Sequence, residues 1–144
     1  MPLFQRLYNT VWLAFFSCVL LPRWMGLYPG APIHVALGIL MLFMTITNAR
    51  RLAVLPVPAR LKRISKTMAG IASFQAVCGV AFGGVKHMLP DVPVVGTALQ
   101  VAHIVCALAL VAQSGSLATG YDMWEEKETG EAPASGSTKA AETK

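Results

Sequence analysis

The chain has 144 residues, of which 55% are hydrophobic and only 13% are charged, and its mean hydropathy is +0.56. In a typical soluble domain, about a quarter of all residues are charged. Asp91 is the only acid before Asp122, so the residues that precede Asp122 have too few charges to form a water-exposed surface. This composition excludes an ordinary soluble domain and predicts an integral membrane protein, because lipid covers the apolar faces of membrane-spanning helices.

Two other features exclude further classes of protein. The sequence pI is about 9.4, but the bases are concentrated between apolar segments and are not spread over a polar face. The positive-inside rule of membrane proteins explains this pattern, and we expect no nucleic-acid partner. Cys18, Cys78 and Cys106 are single and far apart within apolar segments, which indicates neither a disulfide framework nor a zinc site.

Four apolar segments divide the chain, each close to the roughly 20 residues needed to cross a bilayer. They cover about residues 8–27, 32–49, 67–86 and 94–119. The first has no small-residue cleavage site before Pro22, so we interpret it as a retained span and not as a signal peptide. Short turns that contain proline follow the first and third segments. We therefore predict an all-α domain over residues 1–122, a transmembrane four-helix bundle made of two helical hairpins.

The bases between the two hairpins predict the orientation of the bundle. The stretch from Arg50 to Lys66 holds six bases and no acid, which is typical of a cytoplasmic loop. Both termini are then cytoplasmic, and residues 123–144, rich in polar residues and acids, are predicted to form a disordered cytoplasmic tail. We expect a multi-pass protein of a bacterial or archaeal plasma membrane, in contact with lipid and with other subunits of a larger membrane complex.

Two histidines lie inside apolar segments, where ionisable residues are rare and often functional. With a helix rise of about 1.5 Å per residue, His34 lies about 24 Å from Arg50, and His103 lies about 27 Å from Tyr121. The second and fourth segments run in the same direction, so both imidazoles reach one level near the outer face. Two facing imidazoles between helices of a bundle are an axial ligand pair for haem iron.

Residues near the two histidines suit a haem site. Gly38 and Ala107 each follow a histidine by four residues, and a flat macrocycle needs such small residues beside its ligands. Arg23, Lys86 and His87 offer positive or hydrogen-bond donor groups to the propionates at the outer face. The sequence therefore predicts haem b, with the two histidines as metal ligands and these five residues as further contacts.

Other interpretations of the same residues remain open. His34 fits an interfacial position wetted by lipid headgroups, and His103 fits a hydrogen bond to a polar residue of a neighbouring helix. A chlorophyll-type pigment requires a single axial histidine. A quinone requires hydrogen-bond partners such as Gln75 or Gln100, although polar residues that join helices explain both equally well.

Two motifs of the chain resemble the haem A synthase family. They are IHVALG at residues 33–38 and QAVCG at residues 75–79, and the resemblance covers about residues 33–111. Members have two four-helix bundles, or one in archaeal forms of about this size. The resemblance implies a four-helix scaffold that holds haem through His34 and His103 near the outer face.

The chain departs from that family at its catalytic position. The family's active half carries a glutamate three residues before the histidine of the second helix, and Ala31 stands there in this chain. The outer-loop cysteine pair of the family is missing as well. The resemblance therefore favours the haem-binding scaffold over the synthase activity.

These observations lead to three hypotheses of function. The leading one is a b-type cytochrome-like membrane subunit that binds haem between two histidines and transfers electrons in a respiratory or photosynthetic complex. The second is a structural subunit without a cofactor. The third is a compact enzyme similar to haem A synthase. No nucleophile–base pair or phosphate-binding loop is found, so we expect no enzymatic activity of the isolated chain.

Overall fold

The computed structural model describes residues 2–20, 30–88 and 93–130, with side chains for 2–18, 32–84 and 94–130. This part of the chain forms helices and no strand. They are α1 (Leu3–Phe15), which continues as a π-helical turn (Phe16–Leu20), α2 (Gly30–Val54), α3 (Ala59–Met88) and α4 (Pro93–Thr129). The predicted all-helical architecture is confirmed.

Three of these helices are long and apolar enough to cross a membrane. The stretches are Pro32–Val54, Ala59–Gly84 and Val94–Thr129, found within the described residues. Many large apolar side chains on them are exposed, among them Phe43, Phe74 and Leu108. A surface of this kind is stable in contact with lipid and not with water, which indicates a membrane protein. The predicted first span, 8–27, extends beyond Leu20 into residues outside the described part.

The basic stretch between the second and third segments is mostly helical. α2 continues to Val54 and α3 begins at Ala59, so the connection is shorter than the loop predicted from Arg50 to Lys66. Lys and Arg have good helix propensity, and the helix-breaking residues Pro56 and Pro58 are confined to the connection. Leu52 and Leu61 are buried on the two sides of this connection. Their packing stabilises the helices up to the connection, so the neighbouring bases belong to the ends of α2 and α3.

α4 extends further than its apolar stretch. Residues 123–129 are helical, whereas the sequence analysis assigned them to a disordered tail; residues 131–144 lie outside the described part. Tyr121 is buried, its ring lies 5.5 Å from that of Trp124, and Trp124 packs against the hydrophobic core. These two aromatic residues provide the last turns of α4 with apolar contacts. Such tertiary contacts stabilise a helix more than the helix propensity of its residues does.

The helices pack in ring order around one core. α1 contacts α2, α2 contacts α3, α3 contacts α4, and α4 contacts α1. Within the described residues, no close backbone contact joins α2 with α4, so these two helices face each other across the diagonal. The core side chains include Leu7, Ala14, Met41, Leu52, Leu61, Met68, Ala72, Leu110 and Leu117.

Hydrogen bonds between side chains join α1 to α2. The guanidinium Nη2 of Arg6 donates to Thr47 Oγ1 at 2.9 Å, and Asn48 Nδ2 donates to Thr10 Oγ1 at 3.0 Å. The Thr10 hydroxyl in turn donates to the main-chain oxygen of Arg6 at 2.7 Å. We call these four residues the polar clamp. Hydrogen bonds of this kind join helices where apolar surfaces alone do not favour association over contact with lipid.

Candidate functional site

The imidazoles of His34 and His103 lie next to each other in the bundle. Their ring centroids are 6.0 Å apart and their planes are inclined by 56°. One ring comes from α2 and the other from α4, the two helices that face each other across the diagonal. The two side chains therefore meet between the helices and not on an outer face. Their proximity agrees with the common level expected from the helix rise.

The π-helical turn that follows α1 lies beside His34. Ser17, at the start of this turn, lines the same cavity as His34, and its main chain lies near the imidazole. π-helical turns are often found at functional sites. The sequence analysis did not identify Ser17, because a main-chain contact from a local change of helix type has no signature in the residue pattern.

A glycine of α3 lies against His103. A Cβ atom added at Gly79 would lie 3.5 Å from Cε1 and 3.8 Å from Nδ1 of the His103 ring. Gly79 therefore lets the imidazole lie close to the α3 backbone. It belongs to the QAVCG motif at residues 75–79, in which Gln75 is one helical turn earlier.

The two histidines line a cavity of about 210 Å³. Residues of all four helical segments contribute to its wall. The polar members are Ser17, Gln75, His34 and His103, with Cys18 beside them, and the rest of the wall is formed mainly by small and aliphatic residues. The cavity is partly open. It is therefore an apolar pocket with a few convergent polar groups, the usual form of a site for a small molecule or cofactor.

Several polar atoms at this cavity have no partner. Nδ1 of His34, Nδ1 of His103 and Oε1 of Gln75 are buried and accept or donate no hydrogen bond. A buried polar atom without a partner costs about 1–3 kcal/mol. Three such atoms lie on residues that line this one cavity, which makes it the candidate site for a ligand.

No match was found when the chain was compared with protein-family models, with curated proteins and with solved structures. The resemblance to haem A synthases therefore depends on the two short motifs described above.

The structure brings together some of the predicted site residues. Gly38 lines the cavity with the two histidines, and nothing lies within 4 Å of a Cβ added there. Ala107 is buried on α4, one turn from His103, but it is not part of the cavity wall. Arg23 lies outside the described residues. Lys86 and His87 belong to α3, but their side chains lie outside the described part, so the predicted propionate contacts stay a prediction.

The structure describes both glutamines that are candidates for contact with a quinone. Gln75 lines the cavity, whereas Gln100 is exposed on α4. Within the described part of the chain, no group of three or more His, Cys, Asp or Glu side chains could hold a metal ion. The titratable side chains in the cavity wall are those of His34, His103 and Cys18.

Proposed function

We propose that this chain is a b-type cytochrome-like membrane subunit that binds haem between His34 and His103. The observation that carries the proposal is the meeting of these two imidazoles across the bundle, 6.0 Å apart, with an unpaired buried nitrogen on each. Bis-histidine ligation within a helical bundle is an established way to hold haem iron. The proposed role is electron transfer within a larger membrane complex.

The separation of the two rings fits a shared metal ion. Metal–nitrogen bonds to imidazole are about 2.0–2.1 Å long, so the nitrogens of two imidazoles that held one metal between them would lie about 4 Å apart. Each ring centroid lies about 1 Å further from the metal than its nitrogen, which gives a centroid separation of about 6 Å. The inclination of 56° is compatible with this, because each ring can rotate about its own metal–nitrogen bond.

The size of the cavity limits how a macrocycle lies there. Its volume of about 210 Å³ is below the range of about 300–1,000 Å³ that encloses a drug-sized ligand. A tetrapyrrole would therefore fill the cavity with part of its ring and extend through the open side. Haem, when bound, supplies the one-electron chemistry of its iron; the protein orients the ligands and excludes water from them.

The contacts between helices support the predicted membrane topology. On α3, Leu61 lies beside Gly120 of α4, and the later Gly79 lies beside the earlier His103 of α4. The order of contacts is reversed between the two helices, so α3 and α4 run in opposite directions. Arg6 bonds to Thr47, whereas Ser17 lies at His34, which supports the same relation for α1 and α2. These contacts favour two helical hairpins. The bases near the connection of α2 and α3 favour a cytoplasmic location for that end and for both termini.

A pyridine haemochrome measurement on the purified full-length chain tests the proposal. The expected result is about one b-type haem per chain. The reduced spectrum should have the α-band typical of b-type haem with two nitrogen ligands. A chain that is produced in cells with ample haem, purifies in folded form and contains no tetrapyrrole would contradict the proposal.

A single-ring quinone is the second candidate ligand, and the size of the cavity favours it. An engineered cavity of about 150 Å³ in another protein binds benzene, so a volume of about 210 Å³ suits one substituted ring. The Gln75 side chain lies at the cavity and can bond to a quinone oxygen. Organic extraction of the purified chain separates the two ligands, because a quinone without tetrapyrrole in the extract would support this alternative.

The proposal does not extend to haem A synthase activity. The family's catalytic glutamate has no counterpart at Ala31, and the chain has no acid before Asp91. Electron transfer needs only the two ligands and the surrounding apolar site, which is why we favour it.

A further inference from the structure

We propose that haem enters the site sideways from the bilayer, through an opening between α2 and α3 in the outer half of the bundle. The proposal rests on the haem-binding function proposed above and identifies the side on which the site is open. We call this opening the lateral portal. It is bordered by Val35 and Ile39 on α2 and by Ala76 and Val80 on α3.

The exposure of these residues indicates where the cavity reaches the surface. Val35, Ile39 and Val80 line the cavity, and yet they are 60%, 65% and 79% exposed. The wall residues on α4, His103 and Leu110, are less exposed, and Leu110 is buried. A side chain that both lines a cavity and is largely exposed lies at its mouth. The open side therefore faces outward between α2 and α3.

Small residues beside the lateral portal leave room for a flat ring. A Cβ atom added at Gly38 would meet nothing within 4 Å, and Ala76 on the facing helix carries only a methyl group. Gly38 and Ala76 therefore leave a low wall on both helices. The border is entirely apolar, which suits a ligand that reaches it through hydrocarbon and not through water.

The chemistry of haem matches such a route. The macrocycle is flat and largely apolar, so it partitions into a bilayer. The two imidazoles lie at the inner end of the opening, and a ring that slides in from the side reaches them without separation of the whole bundle. The same opening accommodates the part of the ring that the cavity of about 210 Å³ does not enclose.

Haem uptake by the full-length, haem-free protein in lipid vesicles tests the lateral portal. Haem is supplied from a second population of vesicles, and the increase of its Soret absorbance is followed over time. Ala76→Phe places a ring at the mouth and should slow uptake by about tenfold. Val77→Phe is the matched control, since Val77 is the next residue, is 65% exposed and is not part of the cavity wall. It should leave the rate unchanged.

A second variant changes the rate in the opposite direction. Val80→Ala widens the mouth and should accelerate uptake about two- to threefold, a modest change in an activation barrier. Val94→Ala is its control, because Val94 is 76% exposed on α4 and away from the cavity wall. Acceleration by Val80→Ala keeps the proposal testable even when Ala76→Phe lowers the final haem content.

The outcomes separate this proposal from the proposed function. A wild-type protein that takes up no haem contradicts the haem-binding function itself. A wild-type protein that takes up haem at a rate unaffected by Ala76→Phe and Val80→Ala contradicts the lateral portal alone. Loss of haem in Ala76→Phe without acceleration in Val80→Ala also contradicts it, since Ala76 would then be a contact of the bound ring and not part of an entrance.

Discussion

The bundle contains two polar regions that differ in how their hydrogen bonds are satisfied. They lie about 21 Å apart along α2, the distance that 14 residues span between His34 and Asn48. In the polar clamp, Asn48 bonds to Thr10, and Arg6 bonds to Thr47. At the cavity, the rings of the two histidines lie 6.0 Å apart, and the buried Nδ1 of each has no partner.

The comparison suggests different roles for the two regions. The clamp also leaves Asn48 Oδ1 and Arg6 Nε unpaired, but another atom of each of these side chains bonds to the neighbouring helix. No such bond between side chains holds His103 or Gln75 within the described residues. Polar groups that bond to each other hold helices together, whereas polar groups left unpaired at a cavity are available to a ligand. The following variants test this distinction.

Removal of either histidine should have the largest effect. In His34→Ala or His103→Ala, haem affinity should fall by more than about 100-fold, because even loss of a group that only supports a metal ligand costs about 10–100-fold. Haem content and the reduced spectrum of the purified variant measure the loss. Helix content by circular dichroism is the control. A variant that keeps wild-type haem content would show that the removed histidine is not a ligand.

Overpacking between α3 and α4, away from the cavity, should affect stability and not haem binding. A Cβ at Gly120 would lie 2.9 Å from Cδ2 of Leu61, which is buried. Gly120→Val should therefore lower the free energy of unfolding by about 1–3 kcal/mol. Thermal unfolding in detergent measures it. Gly115→Val is the control, since nothing lies within 4 Å of a Cβ there.

Loss of the clamp should have a smaller effect on stability. Asn48→Leu removes the bond to Thr10, and the expected cost is about 1 kcal/mol, within the range measured for hydrogen bonds between membrane helices. Haem affinity should stay within about twofold of wild type, because the clamp is separated from the cavity. A large loss of haem in this variant, with normal stability, would mean that the two regions are coupled.

The smallest effect on stability is expected at Gly38, where two measurements should change in opposite directions. In the haem-free protein, Gly38→Ala should raise stability by up to about 1 kcal/mol, since Ala has better helix propensity and meets no neighbour. Haem affinity should fall, because the added methyl group occupies space beside the ring. Titration of the haem-free variant with haem measures the second change. Unaltered affinity would place the macrocycle away from Gly38.

The helices were largely predictable from the sequence. The three long apolar stretches follow from the residue pattern, and so does the proximity of His34 and His103. Hydropathy and helix rise depend only on the local sequence, so they can be evaluated along the chain without knowledge of which helices pack together. The helical ends were less predictable. α3 begins at Ala59 and α4 ends at Thr129 because buried Leu61 and the Tyr121–Trp124 pair add contacts that a residue pattern does not reveal.

The sequence by itself determined that this is an apolar, helical chain with two histidines at a matching depth. Only the tertiary structure decided that α2 and α4 face each other across the diagonal, and that Ser17, Gln75 and the two histidines line one cavity. The physical reason is that lipid-facing and core-facing residues of a membrane helix are both apolar. Hydropathy therefore does not show which face meets a neighbour, and the packing of the whole bundle decides it.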